Sequence, residues 1–315
     1  RGKDTISYYP DKNKGEIQYL SVKYSVSPDI CRIFTEDYGI SKTESIFKAM
    51  EGDDFSVTLR ANTLKKSADE LYSDLNSRGI KVEKARFSKV GLYVQHNIND
   101  IPEFLNGECM VQDVASQICV KALGAEQGQT VIDTCACPGG KSFGIAMDMN
   151  NEGRIYSFDL HASKLSLIKS SAKKLGIDII TADEQDGRHP REELFGKADR
   201  VLCDLPCSGF GVMKKKPELR YKDVEMTKRL PEIQYDILCA SAKYLKQGGY
   251  MVFSTCTLSK KENGAVLERF LENNKDFCLV PFEVYGLKGE DGTLTLFPDE
   301  HGTDGFFVSK LQRVK

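Results

Sequence analysis

Thr130-Val131-Ile132-Asp133-Thr134-Cys135-Ala136-Cys137-Pro138-Gly139-Gly140-Lys141-Ser142 is the stretch on which the fold turns. A short apolar run ends in an acidic residue, a turn with two glycines follows, and a helical pattern opens at Lys141. A continuous apolar strand that enters a helix this way belongs to a parallel sheet wound with helices. Sheets of that kind bind ligands beyond the carboxyl ends of their strands, which is where this turn lies. Gly139 and Gly140 allow close approach of the backbone and leave helix N-terminal amides for a carboxylate. The turn matches neither Gly-x-Gly-x-x-Gly nor a Walker loop, which argues against a dinucleotide or ATP.

Working outward, the alternation continues. Strand-like runs cover 130–134, 154–158, 177–182, 200–203 and 250–254, and helical patterns cover 141–149, 161–175, 223–245 and 260–273. The runs at 277–282 and 305–311 have no helix between them, so an antiparallel hairpin is expected at the sheet edge. This defines a domain at 107–315 with a Rossmann-like fold. Before it, 53–106 reads as a small α+β unit, strand–helix–strand–strand, resembling an RNA-recognition fold. In it, Ser67 and Glu70 form a capping box for a helix over 67–78. Residues 1–52 read as a helical segment or linker, with helices over 29–38 and 42–50.

With 315 residues, 40% hydrophobic and 29% charged, the composition is that of an ordinary globular protein. No apolar run is long enough for a membrane helix. The ten cysteines lack the spaced partners of a structural zinc site, so no metal is expected, and several fall inside apolar runs, where free thiols are common. A reducing, cytoplasmic setting follows. The net charge of −2 confines any nucleic-acid contact to local clusters, of which Lys214, Lys215, Lys216, Arg220 and Lys222 form the densest. The chain opens on Arg1 rather than Met and reads as a fragment of a longer protein.

Three acidic residues follow successive strands. Asp159 suits both hydroxyls of a ribose and Asp186 an adenine amino group, with Asp183 a competitor for the latter role. Together with Cys135 to Lys141 they point to S-adenosylmethionine. Two cysteines end the later strands, Cys207 in Asp204-Leu205-Pro206-Cys207 and Cys256 in Ser254-Thr255-Cys256-Thr257. Cytosine C5 attacks a methyl donor only after a thiolate has added to C6, and a second group eases release of the product. Either cysteine suits the first role.

These motifs closely resemble the RNA 5-methylcytosine methyltransferases, the family that includes the NSUN enzymes, and within it the Sun/Fmu, RsmB-type branch. The loop usual in that family, CAAPGGK, is Cys135 to Lys141 with Cys137 in place of alanine; its DAPC is Asp204 to Cys207 with Leu205 in place of alanine; its TC is Thr255-Cys256. Gln112-Asp113, the segment Gly209 to Pro217 and Thr303-Asp304-Gly305-Phe306-Phe307 match further family segments. The resemblance implies an S-adenosylmethionine-dependent enzyme acting on RNA, with small-subunit 16S ribosomal RNA as the expected partner. It implies Cys256 as nucleophile and Cys207 in product release; Asp204, on the N3/N4 edge of the cytosine, and Lys141, whose charge favours the thiolate, are the further catalytic candidates, and Asp204 is also a candidate for cofactor binding. A NusB-like helical domain typically precedes the matched region in that branch. Other expectations to weigh are an RNA other than 16S, such as transfer RNA, and an inactive scaffold for ribosome assembly. Oligomeric state is not legible.

Overall fold

In the computed structural model, residues 10–12, 15–51 and 57–315 are described here. The expected boundary at 52–53 and the start of the first strand at Phe55 lie outside them. Three helices come first, α1 (Glu16–Tyr24), α2 (Pro28–Tyr38) and α3 (Ile40–Ala49). Ser27 caps α2 by accepting from the Ile30 amide, with Pro28 in the first turn. The helices are more than a linker. Leu20, Phe34 and Phe47 share one buried cluster with Phe210, Met213 and Leu258 of the large domain.

The small unit comprises β1 (Val57–Ala61), α4 (Ala68–Ser77), β2 (Lys81–Lys84), β3 (Gly91–Gln95), a single turn α5 (Pro102–Leu105) and β4 (Cys109–Val111). The capping box at Ser67 and Glu70 is present. The sheet order is β2-β3-β1-β4, all antiparallel. Its fourth strand is β4, from 109–111, past the expected limit at 106. Three residues are too few to show an alternation, so the strand carries no signal of its own in the sequence.

Helix α6 (Val114–Leu123), capped by Asp113, leads into the large domain. There follow β5 (Thr130–Asp133), α7 (Gly140–Asp148), β6 (Arg154–Asp159), α8 (Leu165–Leu175), β7 (Ile180–Glu184), β8 (Ala198–Asp204), α9 (Leu230–Ala242), β9 (Leu245–Thr255), α10 (Gly264–Asn273), β10 (Phe277–Leu279), β11 (Phe282–Val284), β12 (Leu287–Gly289), β13 (Thr293–Leu296), α11 (Pro298–His301) and β14 (Phe306–Arg313). The main sheet runs β10-β14-β9-β8-β5-β6-β7, parallel from β9 to β7. Strand order reverses between β5 and β8, so a crevice opens there at the carboxyl ends.

The edge is antiparallel, as expected, but not a plain hairpin. β14 inserts between β9 and β10, and β13 pairs with its other end. The connection carries β11, β12, β13 and α11 rather than an open loop. Three helices are shorter than their patterns. α8 begins at Leu165, four residues later than expected, because 162–164 form a separate 3-10 turn. α9 begins at Leu230 because Pro231 fits only a first turn, and 217–221 and 224–227 form separate 3-10 turns instead. α10 begins at Gly264, four residues later than expected.

Candidate active site

The parallel register sets the site. Asp204 lies opposite Ser254 on neighbouring strands β8 and β9, and both strands end at the same edge. The turns that follow carry Cys207 and Cys256, whose Sγ atoms are 3.3 Å apart. The two thiols, both half-buried, are 49 residues apart in the chain. Glycines close the floor beneath them. The Gly211 amide donates to the Cys256 carbonyl at 3.0 Å, and the Gly305 amide to the Gly211 carbonyl at 2.9 Å. A Cβ on Gly211 would lie 1.9 Å from the Gly305 carbonyl oxygen, so only glycine permits this crossing.

Asp204 is held by two donors. Lys141 Nζ donates to Oδ2 at 2.7 Å and Ser254 Oγ to Oδ1 at 2.8 Å. Burial alone would lower the Lys141 pKa, but the charge of Asp204 outweighs it and keeps the ammonium. The cysteines are unequal. Cys256 is pulled below the ordinary thiol value, chiefly by its hydrogen bond with Cys207 and, against burial, by Lys141 and Lys216. Cys207 is pushed well above it, by that same bond, by burial and by nearby negative charge that includes Glu262.

The turn at 134–140 joins this group at the switch point. The Thr134 amide reaches the Leu202 carbonyl of β8 and the Ala136 amide the Phe158 carbonyl of β6. Gly139 has φ +104°, and a Cβ there would meet the Phe143 ring at 2.4 Å. No side chain caps α7, so its first amides are open to a ligand. Cys135 and Cys137 are half-buried and Pro138 is exposed. Asp159 accepts from the Cys137 amide at 3.2 Å and the His161 amide at 3.0 Å, one on each oxygen, leaving lone pairs on both. Asp186 is bound by the Arg188 guanidinium, which holds its carboxyl below the usual range, and Asp183 pairs with Arg191. An uncapped helix start after β5 and a half-satisfied carboxylate at the end of the neighbouring β6 suit a zwitterionic ligand with a ribose.

The five expected RNA cations part company. Arg220 donates to the carbonyls of Tyr24 and Met50 and so holds the N-terminal helices. Lys222 donates to the Ser208 carbonyl at 3.0 Å. Lys215 bridges Asp113 and Asp304, drawing together two of the matched segments. Lys214 and Lys216 are exposed and, among the described residues, form no ion pair. Reasoning from the chain alone overlooked Arg60. It is 2% exposed, lies on β1, and donates to Asp148 and to the Gly144 carbonyl of α7. Beside it Gln112 donates to the Gly140 carbonyl at 2.7 Å. Arg60 follows directly on the strand-like run expected at 55–59, and a charge next to that apolar run is the signal the sequence offers.

Comparison with known proteins follows the same lines. The family described as "16S rRNA methyltransferase RsmB/F" matches residues 120–312, and the ferredoxin-like domain of RsmF/B-like methyltransferases matches residues 30–99. The chain is 39% identical over 266 residues to the "Probable ribosomal RNA small subunit methyltransferase B" of Bacillus subtilis, covering 81% of this chain and 59% of that protein. It is 30% identical over 334 residues to a mouse "28S rRNA (cytosine-C(5))-methyltransferase", covering 96% of this chain and 42% of the relative. The crystal structure of a methyltransferase homologue from Pyrococcus horikoshii superimposes with a TM-score of 0.83 at 28% identity, covering 95% of this chain and 99% of that one. The chain thus spans less than two thirds of the curated relatives named here.

Proposed function

Since the chain belongs to the RsmB/F family of 16S rRNA methyltransferases, we propose that it transfers a methyl group from S-adenosylmethionine to C5 of a cytosine in small-subunit ribosomal RNA. The observation that carries this reading is the pair of thiols 3.3 Å apart at the ends of adjacent parallel strands, with Lys141 and Asp204 beside them.

Cys256, as the thiolate, adds to C6 of a cytosine turned out of its stack. Support comes from its hydrogen bond with Cys207 and from the positive charge of Lys141 and Lys216, which favour the ionised form. Asp204 accepts from the N4 amine and orients the N3/N4 edge, while the Lys141 ammonium beside it offsets the negative charge that thiolate addition places on the ring. Lys141 and Ser254 keep its two oxygens aimed while the base is held. The cofactor, when bound, supplies an electrophilic methyl group. The C5 proton then leaves to water with the assistance of Cys207, and the C6–sulfur bond breaks to return Cys256 as the thiolate. The open amides of α7 would take the amino-acid carboxylate of the cofactor and Asp159 its ribose hydroxyls. Cys135, Ala136, Cys137 and Pro138 shape the turn between them. Asp186 reaches an adenine amine only by sharing its carboxylate with Arg188. Lys214 and Lys216 contact phosphates and position the RNA without reading its sequence.

The test is incubation with labelled S-adenosylmethionine and small-subunit RNA, followed by mapping of the product. Formation of 5-methylcytosine is expected, and its absence overturns the reading in favour of an inactive assembly factor. Label in another RNA alone would retain the chemistry and replace the substrate. Cys207→Ala should accumulate a covalent RNA adduct and Cys256→Ala should form none. The reverse result inverts the roles.

A further inference from the structure

Two thiols in contact could share their proton either way, so something must make them unequal. The turn that carries Cys207 is clamped on both sides by residues outside the site described so far. Gln234 on α9 donates from Nε2 to the Pro206 carbonyl at 2.9 Å, on the peptide unit before Cys207. Glu262, between β9 and α10, accepts from the Ser208 amide at 2.8 Å, on the unit after it. The two side chains meet, Gln234 Nε2 to Glu262 Oε2 at 3.1 Å. Both are buried, Gln234 at 0% and Glu262 at 3% exposure. A further bond of 2.7 Å joins the Ser208 and Thr257 hydroxyls, tying this turn to the residue after Cys256.

Burial pushes the Glu262 carboxyl above its ordinary value, while the Ser208 and Gln234 donors to Oε2 and the nearby charge of Lys222 oppose that rise and favour the carboxylate. The charged groups around the thiols therefore divide by side. Around Cys256 the Asp204 carboxylate disfavours the thiolate and the Lys141 and Lys216 ammonium groups oppose it, whereas beside Cys207 the Glu262 carboxylate disfavours ionisation. A buried negative charge opposes ionisation of the nearer thiol, in a medium where charge is poorly screened.

We propose that Glu262 is the positioning residue that makes the two cysteines unequal. With Gln234 it fixes the Cys207 turn against Cys256 and sets a negative charge beside Cys207, so the proton of the pair stays on Cys207 and the thiolate forms on Cys256. The inference rests on the reading of Cys256 as nucleophile, yet its test does not use the methylation reaction.

Purified protein is treated with limiting iodoacetamide near neutral pH, and initial alkylation at each cysteine is quantified by peptide mass spectrometry. The wild type should label Cys256 ahead of Cys207. Glu262→Gln keeps the shape and an acceptor for Ser208 but removes the charge, and should narrow the Cys256:Cys207 ratio by about tenfold, the effect of one pKa unit. Glu262→Asp, which retains the charge, should preserve most of the ratio. Gln234→Leu should lower it by freeing the Pro206 carbonyl, and this arm decides the matter if Glu262→Gln fails to unfold cooperatively on heating. An unchanged ratio in a folded Glu262→Gln, or, where that variant does not fold, in Gln234→Leu, overturns the proposal, as does equal labelling in the wild type. A wild type that labels Cys256 selectively but makes no 5-methylcytosine would sink the functional reading alone.

Discussion

Replacing Arg60 tests how the small sheet supports α7 and the Gly139-Gly140 turn before it. Arg60 is 2% exposed and its Nη2 lies 2.6 Å from Asp148 and 3.1 Å from the Gly144 carbonyl, both on α7. A third contact, Nη1 to Gln112 at 3.4 Å, is long and contributes little. Arg60→Met keeps apolar volume but strands a carboxylate, and breaking a buried pair in this way costs about 3–5 kcal/mol. Asp148 is 18% exposed and has Lys121 at 3.9 Å, so part of its charge remains solvated and compensated. The low end, about 3 kcal/mol, is the expected cost. At about 2.1 cal/mol/K of unfolding entropy per residue, a chain of 315 residues shifts by roughly 1.5 °C per kcal/mol, so the thermal midpoint should fall by about 4–5 °C. Arg60→Met combined with Asp148→Ala removes the stranded charge, so the double variant should recover at least half the loss. Calorimetry or circular dichroism on the four proteins of the cycle measures both quantities. A single variant costing under about 1 kcal/mol, or a double variant no more stable than the single, refutes the reasoning.

Lys141→Met should raise the pH at which Cys256 is alkylated, because the lost ammonium favoured the thiolate; an unchanged alkylation profile would remove Lys141 from that role. Lys214→Ala with Lys216→Ala should weaken RNA binding and reduce the slope of log affinity against log salt by about 2, measured by filter binding. Arg220→Ala should instead lower thermal stability with the salt slope kept, because its donors serve the Tyr24 and Met50 carbonyls. Burial pushes the Asp133 carboxyl up to about 7, against the pull of its bond with Ser142. Its folded value lies above its unfolded one, so its contribution to stability is full below about pH 4 and is lost as pH rises through 7. Asp133→Asn should therefore gain stability over the wild type at pH 8 and lose that advantage at pH 4, in urea titrations at the two pH values.

Much of the site is readable in the chain because its chemistry is local. The turn at 134–140 shows itself as strand, glycines and helix start within a dozen residues. Ser67 and Glu70 disclose their helix because a capping box spans a single turn. The apolar runs of β5, β6 and β8 disclose a parallel sheet because both faces are covered. By contrast, β4 is three residues long and exists only because β1 offers it an edge. The insertion of β14 between β9 and β10 likewise depends on pairing across 52–62 positions to β9 and 32–36 positions to β10, which leaves no periodic trace.

Sequence by itself determined the layered architecture, the place of the Gly139-Gly140 turn and the identity of the two thiols, since residue type and short spacing carry each of these. Only the tertiary structure decided which cations are free, that Arg60 underpins α7, and that Glu262 and Gln234 flank Cys207. A side chain's partner depends on which backbone the fold brings within about 3 Å of it, and hydrogen bonds decay over that distance. Arg220 and Lys216 read alike in the chain. One is taken up by two carbonyls of the N-terminal helices, and the other stays exposed with its charge acting on Cys256.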